Sequence, residues 1–280
     1  MNKIDSGLYI VSTPIGNLGD ITLRALEVLK KSDIILCEDT RRSFKLLNHF
    51  NIKKKLISYH KFNEKKELNG IIKYLNEGKI LSLISDAGTP ALSDPGRILI
   101  NECIEKKINI CPIPGASAVT TALSISGFDD KFFFYGFLPK TSNKLEKVLT
   151  NLKNTNFPII FFIPGIKINF YLNNFKKYFS DRKILIAREI TKIHETFYRD
   201  SIKKINLFKL PLKGELTVVI SEKYKEENNQ ISEQDIKKQA IRYLKKYSVK
   251  DVVELISKKE KVSKKKIYEI CLNIKNEKNF

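Results

Sequence analysis

Residues 81–96, LSLISDAGTPALSDPG, and residues 108–118, INICPIPGASA, constrain this chain more than any other stretch. Each apolar run stops at a loop of glycine, proline and small polar residues, and a helix-length interval separates the two. Two strands joined by a helix make a βαβ unit, whose right-handed crossover puts both loops at the carboxyl edge of a parallel sheet. Glycine and alanine let backbone approach a ligand closely, and proline fixes the turn. These loops therefore read as the floor of a small-molecule pocket.

The same alternation runs from the start of the chain. Apolar runs at 8–11, 34–37, 56–59, 80–84 and 108–113 are separated by amphipathic segments, which predicts a five-stranded parallel sheet. Asp20 is placed to cap the first helix, and a helix from Ala116 should stop near Gly127. Strand signals at 132–139, 159–163, 184–187 and 216–220, with helices near 145–152 and 168–179, form a second, smaller set. The fold class is thus α/β: two consecutive α/β domains, residues 1–127 and 128–222, and a basic helical domain at 231–280. Residues 222–230, EKYKEENNQ, are polar and turn-like, as a linker is.

The charge is lopsided: 51 Lys and Arg against 31 Asp and Glu, a net +20. A nucleic-acid footprint explains this, and so does the Lys-, Asn- and Ile-rich usage of an AT-rich genome. From residue 231 onward there are 14 basic and 7 acidic residues. Three helical segments there, at 235–247, 249–259 and 263–274, resemble a helix-turn-helix that contacts RNA, against the plainer reading of a solvated appendage. Cys37, Cys103, Cys111 and Cys271 form no CxxC pair, so neither a disulfide framework nor a metal site is expected. No N-terminal signal and no apolar run of about eighteen residues is present, which predicts a cytoplasmic protein with no membrane segment.

No phosphate-binding P-loop or GxGxxG occurs, which argues against ATP or a nicotinamide dinucleotide. Residues 38–42, EDTRR, put two acids and two arginines at a strand's carboxyl end. Asp39 or Thr40 could simply cap the next helix, but the whole cluster suits a polar site: arginine for phosphate, a carboxylate for a proton. His60 and Glu64 flank a similar strand end, and KGELT at 213–217 precedes the last strand. Each has a plain structural reading beside the functional one, a core histidine or a surface turn.

Taken in order, LYIVSTPIGNLGDITLRALEVLK, ILCEDTRRS, LISDAGTPALSDPG, CPIPGASA, GFLP, LIAREITKIHE and KGELTVVI closely resemble the tetrapyrrole-methylase-like S-adenosylmethionine methyltransferases. GNLGD and CEDTR resemble the branch that methylates a cytidine ribose 2′-hydroxyl in 16S ribosomal RNA of the small ribosomal subunit, and not the porphyrin enzymes. The resemblance implies two α/β domains with S-adenosylmethionine in the cleft between them, a homodimer, and a decoding-centre cytidine as target. It puts cofactor contacts at Pro14, at Asp86, Ala87, Gly88, Thr89 and Leu92, and at Ser117 and Ala118. From the second domain it adds Phe162, Glu189 and Thr217. Position at the strand end makes Glu38 or Asp39 the expected base, with Arg41 orienting an RNA phosphate.

Two motifs depart from the family pattern. Where it has Tyr-Glu-Ser-x-His-Arg, this chain has FIPGIK at 162–167, and where it has His-x-His-Asn-Glu, this chain has HKFNE at 60–64. Neither family histidine is then indispensable to an active protein. Two other readings stand beside the expected one: a methyltransferase acting on a tetrapyrrole or other small molecule, and a non-catalytic RNA-binding protein that retains the fold.

Overall fold

In the computed structural model, residues 4–223, 233–260 and 262–278 are described. The chain divides into two compact units, Met1–Lys223 and Tyr224–Phe280.

The first unit begins with β1 (Gly7–Val11), α1 (Leu23–Lys31), β2 (Ile34–Cys37), α2 (Thr40–His49), β3 (Lys55–Ser58), α3 (Glu64–Asn76), β4 (Ile80–Ile84), α4 (Arg97–Glu105) and β5 (Ile110–Ile113). The strands pair in the order β3-β2-β4-β1-β5, every pairing parallel. Continuous apolar strands are what a sheet covered on both faces requires. Leu8, Leu36, Leu81 and Leu83 pack on one face against Ile71 and Leu75 of α3 and Leu99 of α4. Tyr9, Val11, Ile35 and Cys37 pack on the other against Ala25, Val28 and Leu29 of α1 and Leu47 of α2. Thr22, not Asp20, caps α1: its hydroxyl accepts from the Ala25 N–H at 3.0 Å, while Asp20 ends a short 3-10 turn.

The next helix, α5 (Ala118–Ser124), starts two residues later than expected and stops before Gly127. It is followed by β6 (Phe133–Phe137), α6 (Ser142–Leu152), β7 (Ile159–Pro164), α7 (Ile168–Tyr178), β8 (Lys183–Arg188), β9 (Thr196–Ser201) and β10 (Glu215–Ile220). This sheet runs β6-β7-β10-β8-β9 and is mixed: only β6 and β7 are parallel. One face buries Phe161, Ile163, Ile184 and Val218 under Leu145 and Leu149 of α6 and Tyr171, Leu172 and Phe175 of α7. The other face, with Ile160, Leu185, Ala187 and Val219, is covered by Val119 and Ala122 of α5. A helix that leaves the first sheet thus roofs the second, so the two lobes share packing around α5. Behind the second sheet Arg182, 1 % exposed, donates to the carbonyls of Lys153, Thr155 and Ser221 at 2.7–3.2 Å.

The second unit contains α8 (Glu233–Leu244), α9 (Val249–Glu260) and α10 (Lys264–Lys278). They bury a core of their own, with Ile236 and Ala240, Val252 and Ile256, and Ile267, Cys271 and Ile274. Ser248 caps α9, its hydroxyl bonded to Asp251 at 2.6 Å. Lys264, Lys265 and Lys266 are exposed, as the expected basic face requires. Most of the expected linker, residues 224–230, and the first two residues of the expected helical domain lie outside the described residues. Among the described residues, no helix is long and apolar enough to cross a membrane.

Candidate active site

The loops after β1, β4 and β5 are knitted together. Thr13 and Gly88 exchange backbone hydrogen bonds, 2.9 and 3.0 Å, although they belong to loops 75 residues apart in sequence. Gly88 sits at φ +79°, a conformation that favours glycine. The Thr13 hydroxyl donates to the Ser85 carbonyl at 3.2 Å, and the Ser12 and Thr89 hydroxyls meet at 3.0 Å. Gly115 lies so close to Ser12 that a Cβ there would come within 2.9 Å of the Ser12 Cβ. The two loops expected from the sequence and the loop after β1 therefore form one continuous floor.

Above this floor is a cavity of about 390 Å³, inside the range of small-molecule sites. From the first lobe its lining includes Asp86, Ala87, Gly88, Thr89 and Leu92 after β4, and Ser117 and Ala118 at the start of α5. The second lobe contributes Phe162 of β7, Glu189 after β8 and Thr217 of β10. These are all the expected cofactor residues except Pro14, which lines an adjoining cavity of about 360 Å³ together with Arg42, Lys45 and Lys192. Phe137, Glu215 and Asp94 also line the main cavity; Glu215 lies in the KGELT segment and Asp94 in the loop read from sequence as floor, but none of the three was named as a site residue.

The second lobe reaches the floor through residues that tolerate no bulk. A Cβ on Gly136 would meet the Ser93 hydroxyl at 2.7 Å. A Cβ on Gly16 would collide with the Lys192 side chain and come within 2.8 Å of the Thr191 hydroxyl, which accepts from the Asn17 N–H at 3.0 Å. Glu189 and Thr191 hold φ values of +51° and +67° to make this turn.

Of the residues expected to be catalytic, Glu38 lines the cavity and Asp39 and Arg41 do not. Asp39 caps α2, accepting from the Arg41 N–H at 2.9 Å, and Arg41 clasps the same carboxylate through Nε and Nη2 at 3.1 and 2.8 Å. This grip holds the Asp39 carboxyl far below the usual carboxylate range, a poor setting for a base. One residue further on, Arg42 faces the cavity, its Nη1 3.0 Å from Asp86 Oδ2. His60 lies outside the lining; its Nδ1 accepts from the Phe62 N–H at 3.3 Å. Glu64 is buried, and its Oε1 accepts from the Gly96 N–H at 2.8 Å. The departure at FIPGIK also has a structural counterpart. A Cβ on Gly165 would stand 2.5 Å from the Leu212 carbonyl, and the Gly165 N–H donates to the Gly214 carbonyl at 2.8 Å.

The cavity is acidic. Glu38, Asp86, Asp94, Glu189 and Glu215 line it, against Arg42 and Lys192, which pair with Asp86 and with Glu189. Burial, and then the Asp86 charge, raise the Glu38 carboxyl above its usual value, while His60 and Arg42 oppose the rise. Burial and the Glu38 charge push Asp94 up to about 6. Such a lining repels phosphates and carboxylates and suits a cation. Among the described residues, no three His, Cys, Asp or Glu side chains are grouped to hold a metal ion.

Residues 7–206 match the family described as Tetrapyrrole (Corrin/Porphyrin) Methylases, and the chain belongs to that family of methyltransferases. Within it, the similar sequences are narrower in kind. A protein of Thermotoga maritima named ribosomal RNA small subunit methyltransferase I is 46 % identical over 220 residues, 77 % of this chain and 98 % of its own. One of the same name from Rickettsia prowazekii is 43 % identical over 272 residues, 95 % of this chain and 96 % of its own. Among solved structures, a diphthine synthase superimposes with a TM-score of 0.60 at 15 % identity, covering 76 % of this chain and 89 % of that one. The methyltransferase CobJ superimposes at 0.60 with 16 % identity, covering 78 % and 94 %; these two likenesses concern the fold alone.

Enzymes of this family use S-adenosylmethionine. The cavity fits that molecule: carboxylates for a sulfonium and an ammonium group, Leu92, Phe137 and Phe162 for an uncharged adenine, and close backbone at Ala87–Gly88.

Proposed function

We propose that this protein transfers a methyl group from S-adenosylmethionine to a cytidine ribose 2′-hydroxyl in 16S ribosomal RNA, the decoding-centre cytidine that the sequence resemblance implies. One observation carries the reading: the cavity between the lobes is lined by carboxylates and apolar side chains, and a basic cavity adjoins it. The first suits a phosphate-free cation and the second a polyanion. Relatives named for methylation of the small-subunit RNA support the same substrate.

Bound S-adenosylmethionine supplies a methyl carbon activated by its sulfonium, so the protein has to align two partners and remove one proton. Asp86, Ala87, Gly88, Thr89, Leu92, Ser117 and Ala118 would hold the donor from below, and Phe162, Glu189 and Thr217 from above, with Pro14 shaping the neighbouring wall. Glu38, at the end of β2, supplies negative charge beside the reacting groups. Arg42, Lys45 and Lys192 would take phosphates on either side of the target ribose, the role the sequence had suggested for Arg41. Exposed lysines of α10 add non-specific attraction. A ribosomal substrate puts the work in the cytoplasm, and the homodimer implied by the resemblance is open to sedimentation. Relatives named for methylation of small-subunit RNA favour the RNA reading over a tetrapyrrole substrate.

The test is to map 2′-O-methylation in small-subunit RNA from cells with and without the gene, and to restore it with purified protein and donor. Loss and recovery at one cytidine are expected. An unchanged map, or a protein that takes up no donor in calorimetry, refutes the proposal.

A further inference from the structure

The loop between β4 and α4 is built with unusual care. Within six residues Ala91, Ser93 and Gly96 adopt φ values of +64°, +70° and +137°, two of them non-glycine residues in a conformation that costs energy. Four ties hold it. The Ala91 N–H donates to the Pro95 carbonyl at 3.2 Å, and the Gly96 N–H to the buried Glu64 carboxylate at 2.8 Å. Leu83 packs against Gly96, leaving no room for a Cβ (2.8 Å), and Gly136 of the other lobe lies over Ser93. The loop held in this way places Asp94 in the lining of the cavity that Glu38 also lines.

Resting on the function proposed above, we infer that Asp94 is the catalytic base: its carboxylate takes the proton from the ribose 2′-hydroxyl. As that O–H bond breaks, the oxygen forms its bond to the methyl carbon. The carbon–sulfur bond breaks with its electron pair kept by sulfur, which becomes neutral, and the proton leaves Asp94 for water after the product departs. Charges and atoms balance without a further reactant.

The surroundings set Asp94 apart from Asp86, Glu189 and Glu38. Asp86 is occupied by Arg42 and by the Asp39 N–H, and Glu189 by Lys192. Glu38 is raised as well, by burial and by Asp86, but the positive fields of His60 and Arg42 oppose the rise. Burial, and then the negative charges of Glu38 after β2, Asp86 after β4 and Glu215 on β10, raise Asp94, while a hydrogen bond with the Ser85 side chain opposes them. Held there at about 6, Asp94 is ionised near neutral pH and still takes a proton readily. Glu64 acts through the loop as a positioning residue.

The test compares the wild-type protein with Asp94→Asn and Glu38→Gln, using small ribosomal subunits lacking the modification. Single-turnover methyl transfer by Asp94→Asn should fall about 10²-fold or more at pH 7.5, the range for losing a general base. Donor affinity, read by calorimetry without RNA, should stay within about threefold, where the loss of a charged donor contact would cost about tenfold or more. The wild-type rate should rise with pH through a limb that follows the Asp94 carboxyl resonance in ¹³C NMR, and Glu38→Gln should move that resonance's midpoint to lower pH. Retention of the wild-type rate by Asp94→Asn places the base elsewhere. A fall in donor affinity as large as the fall in rate makes Asp94 a counter-charge for the donor and overturns the assignment. A wild-type protein that binds donor yet methylates no ribose refutes the function itself, and with it this role; an inert Asp94→Asn beside an active wild type does not.

Discussion

Asp94 should cost the fold stability, and replacing it should return some. Its carboxyl is pushed from the ordinary 3.8 up to about 6 by burial and by Glu38, so the folded protein prefers it neutral. The sign follows from linkage: a raised carboxyl stabilises fully below the unfolded value, and that contribution is lost as pH rises through the folded one. A rise of this size corresponds to about 3 kcal/mol at 1.36 kcal/mol per decade. The cavity is open to solvent, and screening reduces this to about 1–2 kcal/mol. Asparagine keeps the shape and removes the charge. Asp94→Asn should therefore match the wild type at pH 3 and exceed it by about 1–2 kcal/mol at pH 7.5 in urea-induced unfolding followed by circular dichroism. Equal stability at both pH values, or a variant weakened at pH 7.5, would refute the claim that this carboxylate is held in the site against the interest of the fold.

Arg42→Ala removes a cation shared by both cavities; RNA affinity should fall, and the slope of log affinity against log salt should shrink by about one, measured by filter binding across a salt series. Gly214→Ala puts a methyl group onto the Glu189 carboxylate at a position with φ +86°. It should cost about 1–3 kcal/mol in thermal unfolding and weaken donor binding about tenfold in calorimetry. Arg182→Ala strips three carbonyls of their buried donor and should destabilise by about 3 kcal/mol or more in denaturant titration, with donor affinity in the remaining folded protein unchanged.

The first lobe was legible because its strands are short apolar runs ended by glycine and proline, a pattern that a doubly covered parallel sheet dictates. β9 was not: TFYRDS is half-exposed at a sheet edge, so nothing required an apolar run. The cap of α1 was misjudged by two residues because Asp20 and Thr22 are both good caps, and only the backbone turn at 18–20 chooses between them. The cofactor loops could be read from motif and position. The arginine could not, since whether Arg41 or Arg42 faces the cavity depends on the rotational phase of α2. Asp94 was hidden for a different reason. SDPG is an ordinary turn sequence, and only positive φ at Ser93 and a second lobe pressed onto it separate a working loop from a surface one.

The three C-terminal helices bury their own apolar residues against one another. A module that satisfies itself in this way needs no other part of the chain to complete its core. The Thermotoga maritima relative, whose length is almost wholly accounted for by 220 residues of this chain, is close in size to the first unit alone. A core of its own makes the helical unit an inheritance separate from the two lobes that enclose the cavity.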